Sequence, residues 1–326
     1  MPSPLRIAFL GCGFITRVHS RNLRRFKSEI VCGYASRDKA KAESYCGEFR
    51  GSGSYSDYAD AINDPNVDAV VIAVPPRFHL NLTLQALSAG KHVLVEKPAY
   101  LTMGDYLAVR DARDRAQRVV LVGENDHYKP LAITLRRLLG DGVIGEMVFG
   151  HFSSIVKRLK TADDWRNDES MAGGDAFFEE GIHWLHLAAS LGPNITTISG
   201  FRPSPSTLGP DQRVKSMMVA FNYDNGAVGS LYYSREIPSL LKGLRLSKLM
   251  GRKGVITFES NGVVMLVRGE GFPRVIFPGF RDIRGYQAMY RDFRQSIQTG
   301  RAPEMILERA IEDQRLMDQV YASLNH

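Results

Sequence analysis

In the stretch FFEEGIHWLHLAAS, Glu179, His183 and His186 stand at i, i+4 and i+7, a spacing that stacks all three on one face of an α-helix. A carboxylate and two imidazoles so placed fit three readings: a metal site with one open position, half of an acid–base pair with a histidine oriented by a carboxylate, or two histidines that merely pack. A second reactive group lies earlier in the chain. Lys97 follows the apolar run KHVLVE and precedes Pro98. A residue before proline is kept out of the helical region, so this amine leaves a strand end in an extended, constrained setting where it can face a bound ligand.

The elements that must position these groups begin with LRIAFL, a short apolar run leading directly into GCGFIT and then a helical pattern. In a strand–turn–helix of this kind Gly11 permits the tight turn. Gly13 lets backbone approach a pyrophosphate, whose charge is met by the amides and dipole at the helix start. Thr16 occupies the place of the fingerprint's third glycine, which would set the helix slightly farther from the strand. Further strand-like runs, IVCGYA, VDAVVIAV, KHVLVE and RVVLVG, are separated by the helical stretches SDYADAIND, LNLTLQALSAG and MGDYLAVRDARDRA. Strands alternating with helices predict a doubly wound parallel sheet, an N-terminal Rossmann domain. After the second strand, where an NAD site places an acid, stand Ser36 and Arg37. A hydroxyl and a planar fork of donors suit a 2′-phosphate, so NADP(H) is preferred and NAD(H) is possible. Ligands of such sheets bind beyond the carboxyl ends of the strands, where PPRFH and Lys97 also lie.

A chain of 326 residues predicts two domains of ordinary size. Its 44% hydrophobic and 24% charged residues are those of a globular chain and exclude a disordered one. No basic leader or long apolar run is present, so a cytoplasmic protein without membrane contact is expected. Lys and Arg exceed Asp and Glu by 42 to 35, which suits anionic ligands. In the densest basic run, TRVHSRNLRRFK, however, Ile15, Val18, Leu23 and Phe26 take one helical face and the arginines the other, so nucleic acid is not an expected partner. Cys12, Cys32 and Cys46 fit no metal motif and are read as reduced thiols.

From about Gly123 the pattern changes. HYKPLAITLRRLLGDG is helical and EMVFGHFSSIV alternates like a strand. Asn225-Gly226 and Asn261-Gly262 each sit between strand-like runs, the signature of antiparallel hairpins. The proline-rich FRPSPSTLGP reads as a loop, and YQAMYRDFRQSIQTG and LERAIEDQRLMDQVYASL as closing helices. A cleft between the domains is the expected ligand site. It would be lined by Asn125, His127 and Tyr128 of ENDHYKP and by Lys157, Arg158, Trp165 and Arg166 of VKRLKTADDWRND, with Trp165 available to stack on a sugar ring.

These residues together resemble the glucose-fructose oxidoreductase, inositol dehydrogenase and MocA family. The resemblance rests on GCGFIT, the ASR after the second strand, PPRFH, the EKP of Glu96 to Pro98 and GGDAFFEEGIH, whose order covers nearly the whole chain. It implies a Rossmann domain, placed here at 1–123. It also implies an α/β domain at 124–326 with an open-faced, mostly antiparallel sheet, which serves substrate binding and pairing into homodimers or homotetramers. Carried over by position, it implies cofactor contacts from Gly11, Gly13, Phe14, Ile15, Ser36, Arg37, Pro75, His79, Glu96, Lys97 and Asn125, and catalysis by Lys97 and His183. The family's Asp-x-Gly-x-His-x-x-Asp pattern is altered at both acids: Glu179 takes the first aspartate's place and His186 the last. The favoured reading is an NADP-dependent oxidoreductase acting on a sugar, cyclitol or related polyol. Lys97 would hydrogen-bond the reacting oxygen, His183 take its proton, and Glu179 orient the imidazole or touch substrate. His127, Tyr128, Lys157, Trp165, Arg166 and His186 are the candidate substrate contacts. No metal is expected, since a helix beginning near Gly181 would move Glu179 off the histidine face and hydride transfer beside Lys97 needs none. Two alternatives are glycoside elimination or hydrolysis through transient oxidation by a retained cofactor, and a non-catalytic binder that senses NADP.

Overall fold

The computed structural model describes residues 3–158, 165–204, 215–238 and 245–325. Most of the expected proline-rich loop and the middle of VKRLKTADDWRND lie outside them. The chain forms two compact units, each assembled from separated segments. The first runs to Glu124 and takes in Tyr286–Ile311, while the second comprises Asn125–Gly285 and the chain from Glu312 onward.

The first unit is built on six parallel strands, β1 (Leu5–Leu10), β2 (Ile30–Ala35), β3 (Gly53–Tyr55), β4 (Ala69–Ile72), β5 (His92–Val95) and β6 (Val120–Val122), in the order β3-β2-β1-β4-β5-β6. This is the dinucleotide-binding order of a Rossmann sheet. The central strands β1, β4 and β5 are almost wholly buried, which is why they read as unbroken apolar runs. Register matters more for chemistry. Leu10 pairs with Ala35 and with Ile72, Ile72 with Val95, and Val95 with Val122. The five strands therefore end level, and Gly11, Ser36, Ala73, Glu96 and Gly123 follow in one row.

The helices of this unit are α1 (Phe14–Leu23), α2 (Lys39–Phe49), α3 (Tyr58–Asn63), α4 (His79–Ser88) and α5 (Met103–Ala116). Their starts differ in a telling way. Asp38, Asp57 and Thr102 cap α2, α3 and α5 with their side chains, whereas α1 begins at Gly13 with no side-chain cap and no acid in its first turn. The unit is completed from far along the chain. A helix at Tyr286–Thr299 buries Tyr286, Met289, Tyr290 and Phe293, and its Tyr290 hydroxyl lies 2.9 Å from Nδ1 of His19 on α1.

The second unit contains α6 (Pro130–Gly140), α7 (Glu169–Ala172) and α8 (Ile182–Ala189). They accompany eight strands: β7 (Met147–Ile155), β8 (Ile195–Phe201), β9 (Ser216–Tyr223), β10 (Val228–Ser234), β11 (Leu246–Gly251), β12 (Gly254–Glu259), β13 (Met265–Arg268) and β14 (Arg274–Ile276). Their order is β14-β13-β12-β11-β7-β10-β9-β8, antiparallel throughout except for β7 beside β10. Gly226 and Gly262 both take positive φ, 83° and 93°, at the β9–β10 and β12–β13 turns where Asn-Gly predicts hairpins. Along β7, β10 and β11 burial alternates, with Phe152, Leu231 and Leu249 inward and Phe149, Tyr232 and Leu246 exposed. One face of the sheet is thus a core and the other is open. The helix Tyr286–Thr299, now α9, is followed by α10 (Leu307–Ala322), whose residues from Glu312 belong to this second unit. Among the described residues no helix is long and apolar enough to cross a membrane.

Gly11 has φ 108°, and a Cβ there would meet the Ala73 carbonyl oxygen at 2.6 Å, while a Cβ on Gly13 would meet nothing within 4 Å. Gly11→Ala is expected to cost at least on the order of 1–3 kcal/mol of stability, and Gly13→Ala less than about 0.5 kcal/mol. Urea unfolding midpoints of the two variants check this, and equal midpoints would refute the close approach of the β1 and β4 turns.

Candidate active site

Beyond the level strand ends of the first unit, the predicted cofactor residues separate into those that face outward and those that hold the others. Gly13 opens the uncapped start of α1, and Phe14 beside it is 72% exposed. Thr16, standing for a third glycine, is fully buried and donates to the Gly11 carbonyl at 2.6 Å. Its hydroxyl thus bonds back across the turn that leads into α1. Ile15 is half-buried.

Ser36 is buried, and its hydroxyl accepts from the Asp38 amide. Asp38 in turn accepts from the Lys41 amide as the cap of α2, so the nearest acid after β2 is occupied locally. Arg37 is exposed, its guanidinium 5.9 Å from the centre of the Phe78 ring. Pro75 opens the short turn Pro76–Phe78. His79 does not reach out as expected. It is 1% exposed, with Nε2 at the Val74 carbonyl and Nδ1 at those of Pro98 and Ala99. It ties the turn after β4 to the turn that follows Lys97.

Glu96 is likewise held from behind. Its Oε1 lies 2.7 Å from His19 Nε2. An ionised carboxylate can only accept, so His19 donates through Nε2 and offers its Nδ1 lone pair to the Tyr290 hydroxyl. Lys97 follows at the strand end, half-buried, joined to Pro98 by a cis peptide bond. The uncapped α1 start fits a pyrophosphate, and Gly13 leaves the space that its approach requires.

In the second unit the motif GGDAFFEEGIH folds as a π-helical turn, Phe177–Gly181, running into α8. Asp175 starts it by accepting from the amides of Phe177 and Phe178. Gly181 is required there because the Phe177 ring lies on its backbone, where a Cβ would be 2.3 Å away. The wider turn shifts the phase of the helix, so Glu179 is not stacked below His183 and His186. It is instead buried between two guanidiniums, Arg166 Nε at 3.2 Å and Arg235 Nη2 at 3.0 Å. Both carboxylate oxygens of Glu179 are thus engaged by arginines, pairings that its expected place beside His183 did not include. Arg166, expected to touch substrate, serves that pairing, and its guanidinium covers the Trp165 ring at 4.5 Å. Lys157 is exposed just after β7.

His186 also differs from expectation. It is 2% exposed, with Nδ1 2.7 Å from Asp313 Oδ2 on α10 and Nε2 2.9 Å from His127 Nδ1. The carboxylate requires a proton on His186 Nδ1. With Nδ1 protonated, His186 can accept at Nε2 from His127 Nδ1–H, so the Asp313 carboxylate, His186 and His127 form one hydrogen-bonded chain. His186 is buried in this chain, and the ring of the buried Tyr128 meets His127 edge-on. Asn125 is tied to the Arg284 carbonyl at 2.7 Å and holds the short turn Asn125–Tyr128, which packs against α8. His183 is half-buried, and its imidazole lies within 4.8 Å of the Asp126 carboxylate. Sequence reasoning missed His19, Tyr290, Asp126, Asp175, Arg235 and Asp313. Only Asp126 and Asp175 lie beside motifs that could have drawn attention to them.

Two family models match the chain. Residues 5–124 match an oxidoreductase family with an NAD-binding Rossmann fold, and residues 132–257 match the GFO/IDH/MocA C-terminal domain. An uncharacterized oxidoreductase of Synechocystis sp. is 25% identical over 282 residues, 81% of this chain and 74% of its own. Inositol 2-dehydrogenase of Salmonella typhimurium is 27% identical over 224 residues, 66% of this chain and 63% of its own. Among solved structures, a levoglucosan dehydrogenase in complex with NADH superposes with a TM-score of 0.89 at 20% identity, covering 99% of this chain and 97% of that one, a likeness of fold.

Glu180 provides a test of the buried charges. Burial and the neighbouring Glu179 push its carboxyl up, but Arg158 and Arg235 outweigh them and hold it below its ordinary value of 4.5. A depressed folded-state value means that ionised Glu180 stabilises the fold above the ordinary range, and that this contribution is lost as pH falls through the lowered value. Glu180→Gln is expected to reduce stability at pH 7 by on the order of 1–3 kcal/mol, with a gap from wild type that closes progressively below about pH 4. Thermal midpoints across pH 3–7 check it. A gap that stays constant with pH would contradict the pairing.

Proposed function

The chain belongs to the GFO/IDH/MocA family of oxidoreductases with an NAD-binding Rossmann fold, and on that premise we propose that it transfers hydride between a nicotinamide cofactor, NADP(H) in preference to NAD(H), and a hydroxyl or keto carbon of a sugar, cyclitol or related polyol. The observation that carries this reading is the level row of strand ends. It sets the open start of α1, Arg37 and Lys97 on one edge of a single sheet. Bound there, the nicotinamide would accept or return the hydride.

The protein's own groups then have separable tasks. The first-turn amides of α1 meet the pyrophosphate. Arg37, exposed beside the Phe78 ring with Asp38 occupied as a cap, offers its guanidinium to a 2′-phosphate. Lys97, positioned by His79 and adjacent to the anchored Glu96, hydrogen-bonds the reacting oxygen. His183 accepts the hydroxyl proton during oxidation and returns it during reduction, with the Asp126 carboxylate within 4.8 Å of its imidazole. The names of the relatives support the substrate class, since inositol and levoglucosan are both polyhydroxylated rings.

The test is reduction of NADP⁺ and of NAD⁺, followed by absorbance, with myo-inositol and levoglucosan as substrates, together with fluorescence titrations of NADPH and NADH. Wild type should bind NADPH more tightly, and Arg37→Asp should reverse the order by weakening NADPH binding at least tenfold. Equal affinities unaltered by the substitution would refute the cofactor preference. Failure to bind either nucleotide would refute the oxidoreductase reading.

A further inference from the structure

Among the described residues, Arg245, immediately before β11, is an undercompensated cation. Its guanidinium lies over the indole of Trp184, 5.3 Å from the ring centre. Its hydrogen bonds go to neutral oxygens, Ser154 Oγ at 3.4 Å and Asn261 Oδ1, and its buried Nε meets no acceptor. Among the described residues the acids within electrostatic reach are Glu259, Asp126 and Glu180, and each is engaged elsewhere. Glu180 pairs with Arg235 at 2.7 Å and Arg158 at 3.2 Å, Asp126 pairs with Lys129 at 2.6 Å, and Glu259 accepts from the backbone and side-chain amides of Asn261. Arg158 adds a second positive charge, and burial together with that charge pushes the Arg245 group below its ordinary value. A half-buried guanidinium is costly unless a carboxylate or phosphate answers it.

The location gives this cation a use. Trp184 is the residue after His183 on α8, and Asp126, within reach of Arg245, is also within 4.8 Å of His183. We propose that Arg245, assisted by Arg158, binds an anionic group of the substrate, so that the preferred substrate is a sugar acid or sugar phosphate and not a neutral polyol. This rests on the reading of the second unit as the substrate-binding part. Planar bidentate pairing makes arginine well suited to either anion, and the surplus of 42 basic over 35 acidic residues would favour the approach of such a ligand.

Calorimetric titration of the full-length protein with D-glucuronate, D-glucose 6-phosphate and D-glucose separates the possibilities without requiring turnover. At least one anionic sugar should bind ten or more times more tightly than glucose. The stronger of the two identifies a carboxylate or a phosphate site. Arg245→Gln should erase the preference, Arg245→Lys should restore part of it, and raising salt from 0.05 to 0.5 M should weaken only the anionic sugars. Because Arg245 packs on Trp184, the Lys variant and the salt series read the charge even where the Gln variant folds poorly. Equal binding of the three sugars, no binding of either anion at millimolar concentration, or a preference unchanged in Arg245→Gln would overturn the proposal. Arg245-dependent binding without any hydride transfer would keep it and overturn the proposed reaction instead.

Discussion

A carboxylate buried at the end of a central parallel strand has to be answered by donors, and in the first unit much follows from satisfying Glu96. It is 7% exposed and flanked on one side by a fully buried His19, whose other nitrogen is served by Tyr290. Removing either support would leave a buried charge or imidazole unsatisfied, which costs far more than the hydrogen bond itself contributes. The arrangement dictates sequence at distant points. It explains the histidine in the middle of α1 and the return of α9 to a unit whose helices α1 to α5 all precede residue 117. It also explains a glycine at 123, where a Cβ would sit 3.0 Å from Glu96 Oε1. Lys97, next in the chain, inherits a fixed starting point.

The second unit solves a related problem with more charges. Glu179 is buried and the adjacent Glu180 half-buried, and Arg235, Arg166 and Arg158 divide them between themselves. Such a cluster fixes the π-helical turn from which α8 departs, and with it the direction of His183. On the next turn of α8, His186 is held by Asp313 and holds His127. The family pattern has an acid where His186 stands. Here the acid is one residue farther away, on α10, and the imidazole between lets its influence reach His127. A carboxylate behind a histidine fixes which ring nitrogen carries the proton.

Much of the fold was legible because its signals are local. Buried parallel strands wrote themselves as apolar runs, and Asn225-Gly226 and Asn261-Gly262 marked turns that need positive φ. The glycine turn, Arg37 and Lys97 were legible as groups at the strand ends because each follows directly from an apolar run. What the sequence concealed was partnership at a distance. Nothing near His186 announces Asp313, 127 positions later, and nothing near Glu96 announces His19 or Tyr290. The i, i+4, i+7 spacing of Glu179, His183 and His186 puts them on one face only where a regular helix runs through all three. A helix start near Gly181 is expected from the sequence, and α8 does begin at Ile182, after a π-helical turn in which Glu179 pairs with Arg166 and Arg235.

The central claim is that Lys97 and His183 assist a hydride transfer, and it can be tested on the transferred atom itself. Wild type, Lys97→Met and His183→Ala would be incubated with oxidised cofactor and ring-deuterated myo-inositol or levoglucosan, and deuterium at C4 of the reduced nicotinamide read by NMR. The account predicts deuterium on a single face with wild type. It predicts transfer slowed by roughly 10²–10⁴-fold in each variant while cofactor affinity is retained. Reduced nicotinamide without deuterium, or transfer at the wild-type rate in both variants, would contradict it.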